Sequence, residues 1–312
     1  VTVKQSLDTL RYQGLVYSRR GAGTYVAEPA EPSQLPGTTV GLACLYGPGV
    51  GSPGLVDQLL SVGKVGEVIQ SHIRAAYFAY DDVASLLEWA RPLAGVLVWK
   101  YVTPVLVRQL QAAGKQVAVL GAMVEGDCPA GAGQFDVDIP GLIYGALDFL
   151  SALGHSRIVL INRRGTLYRA SIGRAFAEYA AAHRLSGHMS EYVLEDEQDE
   201  PRVLDLLRSA KPRPTAILAD DCERCSRLVY HLQRAGLRVP DQISLLGITT
   251  SELAQTWMPH LTYAGHSFDE ILVLAIEGLS EMLRSGCAIR RTISGRVHRG
   301  DTCARVADNQ SD

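Results

Sequence analysis

Long hydrophobic runs are missing from this chain of 312 residues. No apolar stretch approaches the roughly 18 residues that a membrane-spanning helix needs, and the N-terminus lacks the basic, apolar and small-residue regions of a signal peptide. These absences predict a cytoplasmic protein without a membrane partner. Charged residues form 20 % of the chain and hydrophobic residues 47 %, which is the balance of a soluble globular protein.

Cysteine is scarce, and the usual motifs of catalytic and metal-binding sites are missing. Six cysteines are too few for a disulfide scaffold in a chain of this length, so we expect reduced thiols. The motif CERC at 222–225 has no second cysteine pair and no nearby histidine to complete a zinc site. Nucleophile-elbow, H-E-x-x-H, P-loop and dinucleotide-binding patterns are absent. The sequence therefore predicts no catalytic residue, no metal and no cofactor.

Charge is unevenly distributed along the chain. The net charge of −3 argues against a protein that binds nucleic acid over its whole surface. The first 30 residues, however, contain four basic and two acidic residues and precede a more acidic body. A basic head on an acidic body indicates two parts with different partners.

The N-terminal stretch has the pattern of a helix followed by a hairpin. Val3, Leu7 and Leu10 recur at helical spacing over residues 3–12. The segments LVYS and TYVAE then predict two short strands, joined by RRGAG, whose glycines permit a tight turn. Three prolines in residues 29–37 predict an extended linker.

From residue 38 onward, apolar strand-like runs alternate with helical patterns. Apolar strands that are each followed by a helix are typical of parallel sheets covered on both faces, and the strands are too many for one sheet of ordinary size. We therefore predict two α/β lobes, with ligand contacts in the loops after the strands. The predicted strands are 39–46, 75–80, 94–100, 115–121, 157–162, 191–195, 215–220 and 243–249, and the predicted helices are 55–72, 83–92, 102–114, 143–155, 170–184, 200–210 and 223–235.

Residues 2–27, TVKQSLDTLRYQGLVYSRRGAGTYVA, resemble the C-terminal half of the GntR-type winged helix-turn-helix. The resemblance implies that residues 1–28 are the end of a recognition helix and its wing, and that the intact domain binds double-stranded operator DNA. Phosphate contacts would position such a module and base contacts would give specificity. Charge alone leaves the alternative that Arg19 and Arg20 are a solvated hairpin tip. The implied DNA-binding residues are Thr2, Lys4, Gln5, Arg19, Arg20, Gly21, Gly23 and Thr24.

Residues 38–304 resemble the effector-binding region of LacI/GalR-type repressors, which is related to periplasmic sugar-binding proteins. The matching segments are LSALGHSRIVLI, PRPTAILADD, LQRAGLRVPDQISLLGI, PHLTYAGHSFDEI and RVHRGDT. Combined with the N-terminal motif, they resemble the arabinose-repressor subfamily. The resemblance implies a two-lobed fold of the type I periplasmic-binding-protein kind and a homodimer. The implied lobes are approximately 38–138 plus 264–288 and 139–263 plus 289–304, with a tail at 305–312.

The same resemblance implies a small-molecule effector in the cleft between the lobes. Asp220 and Asp221 match a polar pair that binds sugar, although such a pair is equally suited to be the N-cap of the following helix. His266 stands where many relatives have a glutamine beside the ligand, although a single histidine in a loop is more often a surface residue. The expected effector-binding residues are Tyr46, Trp99, Asp138, Arg169, Asp220, Asp221, Thr249 and His266.

Two departures from the family pattern bear on the ligand. Thr249, in the segment GITT, replaces an aspartate that binds ligand hydroxyls, and Ile172 stands where the family's helix carries an arginine. Loss of the charged acceptor weakens the case for an ordinary free sugar. The segments WKY (99–101) and NRRG (162–165) carry cations at strand ends, so an anionic sugar derivative is a second hypothesis. WKY is alternatively a packing surface between lobes or subunits.

These features predict a ligand-responsive transcriptional regulator, and more specifically a repressor. Closure of the lobes around the ligand would change the spacing of two DNA-binding heads in a homodimer. The segments 56–69 and 102–110 are the candidates for the dimer interface. Three alternatives stay open: a solute-binding protein of periplasmic type, an α/β enzyme acting on a sugar-like substrate, and a regulator whose body serves only for dimerisation.

Overall fold

The computed structural model describes residues 16–19, 23–26, 40–47, 73–124, 126–164, 168–195, 199–211, 213–250, 254 and 260–306. Strand β1 (Val16–Arg19) pairs antiparallel with β2 (Gly23–Val26), and Val16 lies opposite Val26. The hairpin predicted from LVYS and TYVAE is therefore confirmed. The predicted helices 3–12 and 55–72 and the linker 29–37 lie outside the described residues.

The body of the chain alternates strands and helices, as the sequence predicts. Each predicted strand between residues 39 and 249 is present, with ends that move by a few residues. The strands are β3 (Val40–Tyr46), β4 (Ile73–Ala79), β5 (Gly95–Lys100), β6 (Gln116–Leu120), β7 (Gly133–Val137), β8 (Ile158–Arg163), β9 (Met189–Leu194), β10 (Ala216–Ala219), β11 (Ser244–Ile248), β12 (Thr262–Gly265), β13 (Arg290–Ile293) and β14 (Arg296–His298). The helices are α1 (Val83–Ala90), α2 (Pro104–Ala112), α3 (Ile139–Ala152), α4 (Arg169–Ala182), α5 (Glu200–Ser209), α6 (Cys222–Arg234) and α7 (Phe268–Ser285).

The strands form two six-stranded sheets, one in each lobe. The first sheet has the order β13-β7-β6-β5-β3-β4 and is parallel throughout. The second has the order β14-β12-β11-β10-β8-β9, and within it only β14 runs antiparallel to its neighbour. The predicted two-lobed α/β fold with parallel sheets is confirmed.

Between the described strands, the chain crosses from one sheet to the other three times, after β7, after β12 and after β13. The crossings lie close together: the Asp138 N–H donates to the Ile293 carbonyl at 2.9 Å, and Gly265 pairs with Arg296. The division predicted from sequence places residues 289–304 in the second lobe. This is wrong for β13, which pairs with β7 in the first sheet, because its short polar run gives no sign of which sheet it joins.

Helices cover both faces of each sheet. In the first lobe, α7 packs against β5, β6 and β7, while α1 and α2 bury Leu86 and Leu110 on the opposite face. In the second lobe, α3 and α4 pack on one face and α5 and α6 on the other. Helix α7 begins at the N-cap Ser267, whose hydroxyl accepts from the Glu270 N–H, and ends at Gly286 with φ 72°. These layers bring the carboxyl ends of the strands of both lobes to the cleft.

Candidate effector site

A corner of aromatic and basic side chains lies where β5 ends in the first lobe. The rings of Trp99 and Phe268 pack 4.8 Å apart, so the strand end is joined to the first turn of α7. Lys100 has φ 74°, in the left-handed region that non-glycine residues rarely adopt. Its Nζ lies 4.6 Å from the centroid of the Trp99 ring. The corner therefore combines an apolar ring face with a fixed positive charge.

A thiol and a phenol lie in register with Trp99 on the sheet. Cys44 pairs with Trp99 on one side and with Tyr77 on the other, so the three side chains share a face. Burial lowers the pKa of Lys100, whereas the nearby Cys44 opposes that shift. Burial raises the pKa of Cys44 to about 11 and that of Tyr77 to about 12, so both stay neutral at physiological pH. Lys100 is the charged group of this corner.

Tyr168 connects the two lobes across the cleft. It is the N-cap residue of α4 in the second lobe, and its O–H donates to Asp136 Oδ1 of β7 at 2.7 Å. The same oxygen accepts from the Ala122 N–H at 3.1 Å. A Cβ at Gly121, which has φ 86°, would lie 2.8 Å from the tyrosine oxygen, so glycine is required there. Burial raises the pKa of Asp136, and the bond from Tyr168 opposes that shift.

The second lobe contributes one wall of the cleft, and this wall is built around Asn162 at the end of β8. Its Nδ2 donates to Glu191 Oε1 at 2.9 Å and to the Arg169 carbonyl at 3.1 Å, which fixes the start of α4 against the sheet. The Arg163 N–H donates to Asp220 Oδ2 at 2.9 Å and so joins β8 to β10. Arg163 and Arg169 are both partly buried here. The wall therefore carries two cations next to its hydrogen-bonded network.

The acidic pair after β10 is occupied by an arginine. The Arg224 Nε donates to Asp220 Oδ1 at 2.6 Å, and both side chains are completely buried. Asp221 is the N-cap of α6: its Oδ1 accepts from the Arg224 N–H at 2.9 Å, and its Oδ2 lies 3.3 Å from the guanidinium. Burial raises the pKa of Asp220 and Arg224 opposes that shift. The helix-capping alternative is thus present for Asp221, while Asp220 forms a buried ion pair.

Thr249 and His266 flank the point where β12 leaves the second sheet. The Thr249 N–H donates to the Ala264 carbonyl at 3.1 Å, and only a glycine at 265 fits against the Thr249 carbonyl. His266 is partly buried and lies directly before the N-cap of α7. Ile172, at the position where the family carries an arginine, is 3 % exposed and packs in the core. The wall therefore contains a neutral hydroxyl where the family pattern has an acid.

The other predicted residues divide into two groups. Asp138 is the N-cap of α3 and accepts from the Gly141 N–H at 3.0 Å, at the first crossing between the lobes. Tyr46 ends β3 with 46 % of its surface exposed. Of the residues expected to bind DNA, Arg19, Gly23 and Thr24 lie in the β1–β2 hairpin. The remaining ones lie outside the described residues: Thr2, Lys4, Gln5, Arg20 and Gly21.

Several residues of the site are missing from the sequence prediction. Tyr168 and Asp136 lie 32 residues apart in the chain and meet only because the lobes meet. Asn162 is the last residue of the predicted strand 157–162, and such a strand end is a signal for a site residue. Arg224 lies three residues after the predicted Asp221. Among the described residues no group of three His, Cys, Asp or Glu side chains could hold a metal ion. None of the helices in the described part is long and apolar enough to span a membrane.

Comparisons with known proteins agree with this architecture. Residues 147–303 match the periplasmic binding protein-like domain. The chain is 24 % identical to the arabinose metabolism transcriptional repressor of Geobacillus stearothermophilus over an alignment of 298 residues, and the match covers 90 % of this chain and 80 % of that protein. It superposes on a LacI transcriptional regulator from a Rhodococcus species with a TM-score of 0.74 at 19 % identity, covering 86 % of this chain and 99 % of the other. A LacI family regulator of Enterococcus faecium with bound ribose gives a TM-score of 0.69 at 15 % identity, covering 86 % of this chain and 100 % of the other.

Two lobes of parallel sheet, three crossings and a cleft at the strand ends define a bilobed protein of the periplasmic-binding type. The matched domain spans about half of the sequence. The chain belongs to the periplasmic binding protein-like domain family.

Proposed function

We propose that the protein is a ligand-responsive transcriptional repressor whose two lobes close on a small sugar-like metabolite, either a sugar or an anionic sugar derivative. The observation that carries this proposal is the contact between Tyr168 and Asp136, which joins the lobes at the cleft. A ligand in the cleft contacts both lobes and therefore changes the stability of the closed arrangement. The relative from Geobacillus stearothermophilus, a repressor of arabinose metabolism, supports a regulatory role.

The proposed DNA-binding part is the winged-helix segment at residues 1–28, followed by the linker 29–37. The hairpin of this segment is formed by β1 and β2. Arg19, Arg20 and the glycine-rich turn would contact phosphates, and Thr2, Lys4 and Gln5 would face the groove. The same division makes residues 38–304 the effector-binding and dimerisation region. DNA binding through phosphate contacts should weaken steeply as salt increases.

Ligand sensing is tested by thermal denaturation of the 312-residue chain with neutral sugars, sugar acids and sugar phosphates. A ligand at one hundred times its dissociation constant stabilises a protein by about 2.7 kcal/mol, which a melting curve detects readily. Trp99→Leu should reduce the rise in melting temperature that the ligand causes. The matched control is Tyr230→Leu, which removes an exposed aromatic ring from α6. A panel that leaves the melting temperature unchanged contradicts the sensing function.

Regulation is tested on a protein that carries the intact N-terminal DNA-binding domain, by fluorescence anisotropy with DNA from the region upstream of the protein's own gene. We expect tighter binding to this DNA than to a scrambled sequence, and a change in affinity when the ligand is added. Ligand binding without DNA binding would favour the solute-binding alternative. A dimer that binds DNA but responds to no ligand would favour a body used only for dimerisation.

A further inference from the structure

We propose that the ligand in the cleft carries a carboxylate or a phosphate ester, and that Lys100 binds this anionic group while Trp99 packs on the ligand's apolar face. The inference rests on the proposed sensing function and adds the chemical class of the ligand. It starts from the backbone of Lys100, whose φ of 74° is unusual for a residue with a side chain. Such strained conformations concentrate at functional sites.

The unusual backbone redirects the lysine side chain. Lys100 pairs with Leu45, whose side chain is buried between the sheet and the helices α1 and α2. Alternation along a regular strand would direct Lys100 to that same face. Instead, the ammonium group lies over the ring of Trp99, on the opposite face and next to Phe268. The left-handed residue therefore places the charge at the cleft corner rather than against the outer helices.

The surroundings of Lys100 favour an anion over other ligands. Its side chain is partly removed from water, and the loss of hydration lowers its pKa. A charge in such a setting is less screened, so it attracts an opposite charge more strongly than a solvated surface lysine does. The adjacent thiol of Cys44 is held neutral, because burial raises its pKa to about 11. An anionic ligand group would therefore meet a positive charge without a competing thiolate.

Four carboxylates near the strand ends already accept hydrogen bonds within the chain. Each accepts from a donor close by: Asp136 from Tyr168, Asp138 from the Gly141 N–H, Asp220 from the Arg224 guanidinium, and Asp221 from the Arg224 N–H. Thr249 adds only a neutral hydroxyl at the edge of β11. Lys100 ends β5, Arg163 ends β8 and Arg169 begins α4, so three partly buried basic residues lie at these element ends. The balance of charge favours an anionic ligand over a neutral sugar whose hydroxyls need acidic acceptors.

The test compares gluconate and glucose 6-phosphate with neutral glucose by isothermal titration of the 312-residue chain. We expect one of the anionic probes to bind more tightly than glucose, and the carboxylate and phosphate arms identify the group. Lys100→Met should weaken anion binding by at least about tenfold, since a charge-assisted bond is lost. Lys100→Arg should keep most of the affinity. The matched control is Lys211→Met, which removes an exposed lysine between α5 and the start of β10.

The variant Lys100→Gly distinguishes ligand binding by Lys100 from a purely structural role of this residue. Glycine adopts a positive φ without strain, so this variant should melt no lower than the parent and still lose anion binding. Glucose binding as tight as either anion, with Lys100→Met unaffected, would overturn the anionic class and leave the sensing function intact. Absence of binding for all three probes and for the wider sugar panel would contradict both. Equal losses in Lys100→Met and Lys211→Met would point to general attraction of anions and would also overturn the assignment.

Discussion

Arg224 is a fully buried guanidinium whose charge is matched by Asp220 at 2.6 Å and by Asp221 at 3.3 Å. Removing one partner of a buried ion pair leaves the other charge uncompensated, which costs about 3–5 kcal/mol. We therefore expect Arg224→Met to lower the free energy of unfolding by about that amount. Urea denaturation followed by circular dichroism measures the change.

The control for this prediction is a solvent-exposed arginine–aspartate pair of the same protein. Arg238 lies 3.1 Å from Asp241, and the two side chains are 69 % and 64 % exposed. Exposed pairs contribute about 0–1 kcal/mol, so Arg238→Met should change stability little. Similar losses in both variants would mean that the burial of Arg224 does not determine its contribution.

At the scale of secondary-structure elements, His155 joins four segments of the second lobe. Its Nδ1 lies 2.9 Å from the Thr215 hydroxyl, and its Nε2 lies 2.9 Å from the Ser244 hydroxyl and 3.0 Å from the Ala304 carbonyl. Because the carbonyl only accepts, Nε2 carries the proton and Nδ1 accepts from Thr215. The loop after α3, the starts of β10 and β11 and the C-terminal segment are thus held by one neutral ring.

This arrangement predicts how stability depends on pH. Burial lowers the pKa of His155 below its ordinary value of 6.5. Below pH 6.5 the unfolded chain therefore takes up a proton that the folded protein does not, so stability falls as the pH falls. The slope for one such site is at most about 1.4 kcal/mol per pH unit.

The measurement is the free energy of unfolding between pH 8 and pH 5 for the parent and for His155→Gln. The variant should be less stable at every pH but should show a shallower decline. Burial and the neighbouring Arg296 also lower the pKa of His298, so part of the slope should remain. A variant that keeps the full slope would show that His155 does not titrate as its burial implies.

The elements also show what local sequence pattern can and cannot predict. The run RIVLIN is apolar because β8 is covered on both faces, and the structure places that strand at Ile158–Arg163. Strands β13 and β14 are not predicted, since RRTI and RVH are short and polar and form only by pairing at sheet edges. No helix is predicted over 268–285 either, although Ser267 and Gly286 are ordinary helix ends.

The site shows the same limit more strongly. Strand ends direct attention to Trp99 and Asp220, because parallel sheets place the loops that follow their strands at one edge. The pairing of Asp220 with a buried Arg224 is not visible in the sequence, since one residue ends a strand and the other lies in a helix. The contact of Tyr168 with Asp136 requires both lobes to be placed, which no local periodicity specifies.

For the whole molecule, the hydrogen bonds of Tyr168 join the two lobes. Tyr168→Phe removes the donor to Asp136 and the acceptor for the Ala122 N–H. Leaving such buried groups without a partner costs about 1–3 kcal/mol, so we expect a loss of that size on urea denaturation. Small-angle scattering should also show a larger radius of gyration for the unliganded variant, because the lobes separate more easily.

The matched control is Tyr144→Phe, which removes an exposed hydroxyl that donates to Glu178 at 3.1 Å. This bond joins α3 and α4 within the second lobe, so its loss should leave the radius unchanged. A Tyr168→Phe protein with the parent's radius and stability would show that the lobes are held by other contacts.

The proposed homodimer gives the last prediction at this scale. Of the two candidate segments, 56–69 lies outside the described residues, and 102–110 falls in and before α2. Val105 in the first turn of α2 is 55 % exposed, and an apolar side chain in that position suits a subunit contact. We expect Val105→Asp to weaken dimerisation by at least about tenfold, because a desolvated carboxylate opposes association.

Sedimentation velocity over a concentration series measures the strength of dimerisation. The control is Val193→Asp on the edge strand β9, since Val193 is 37 % exposed in the other lobe. If both variants dimerise like the parent, α2 is not in the interface, and the subunits must meet through another surface.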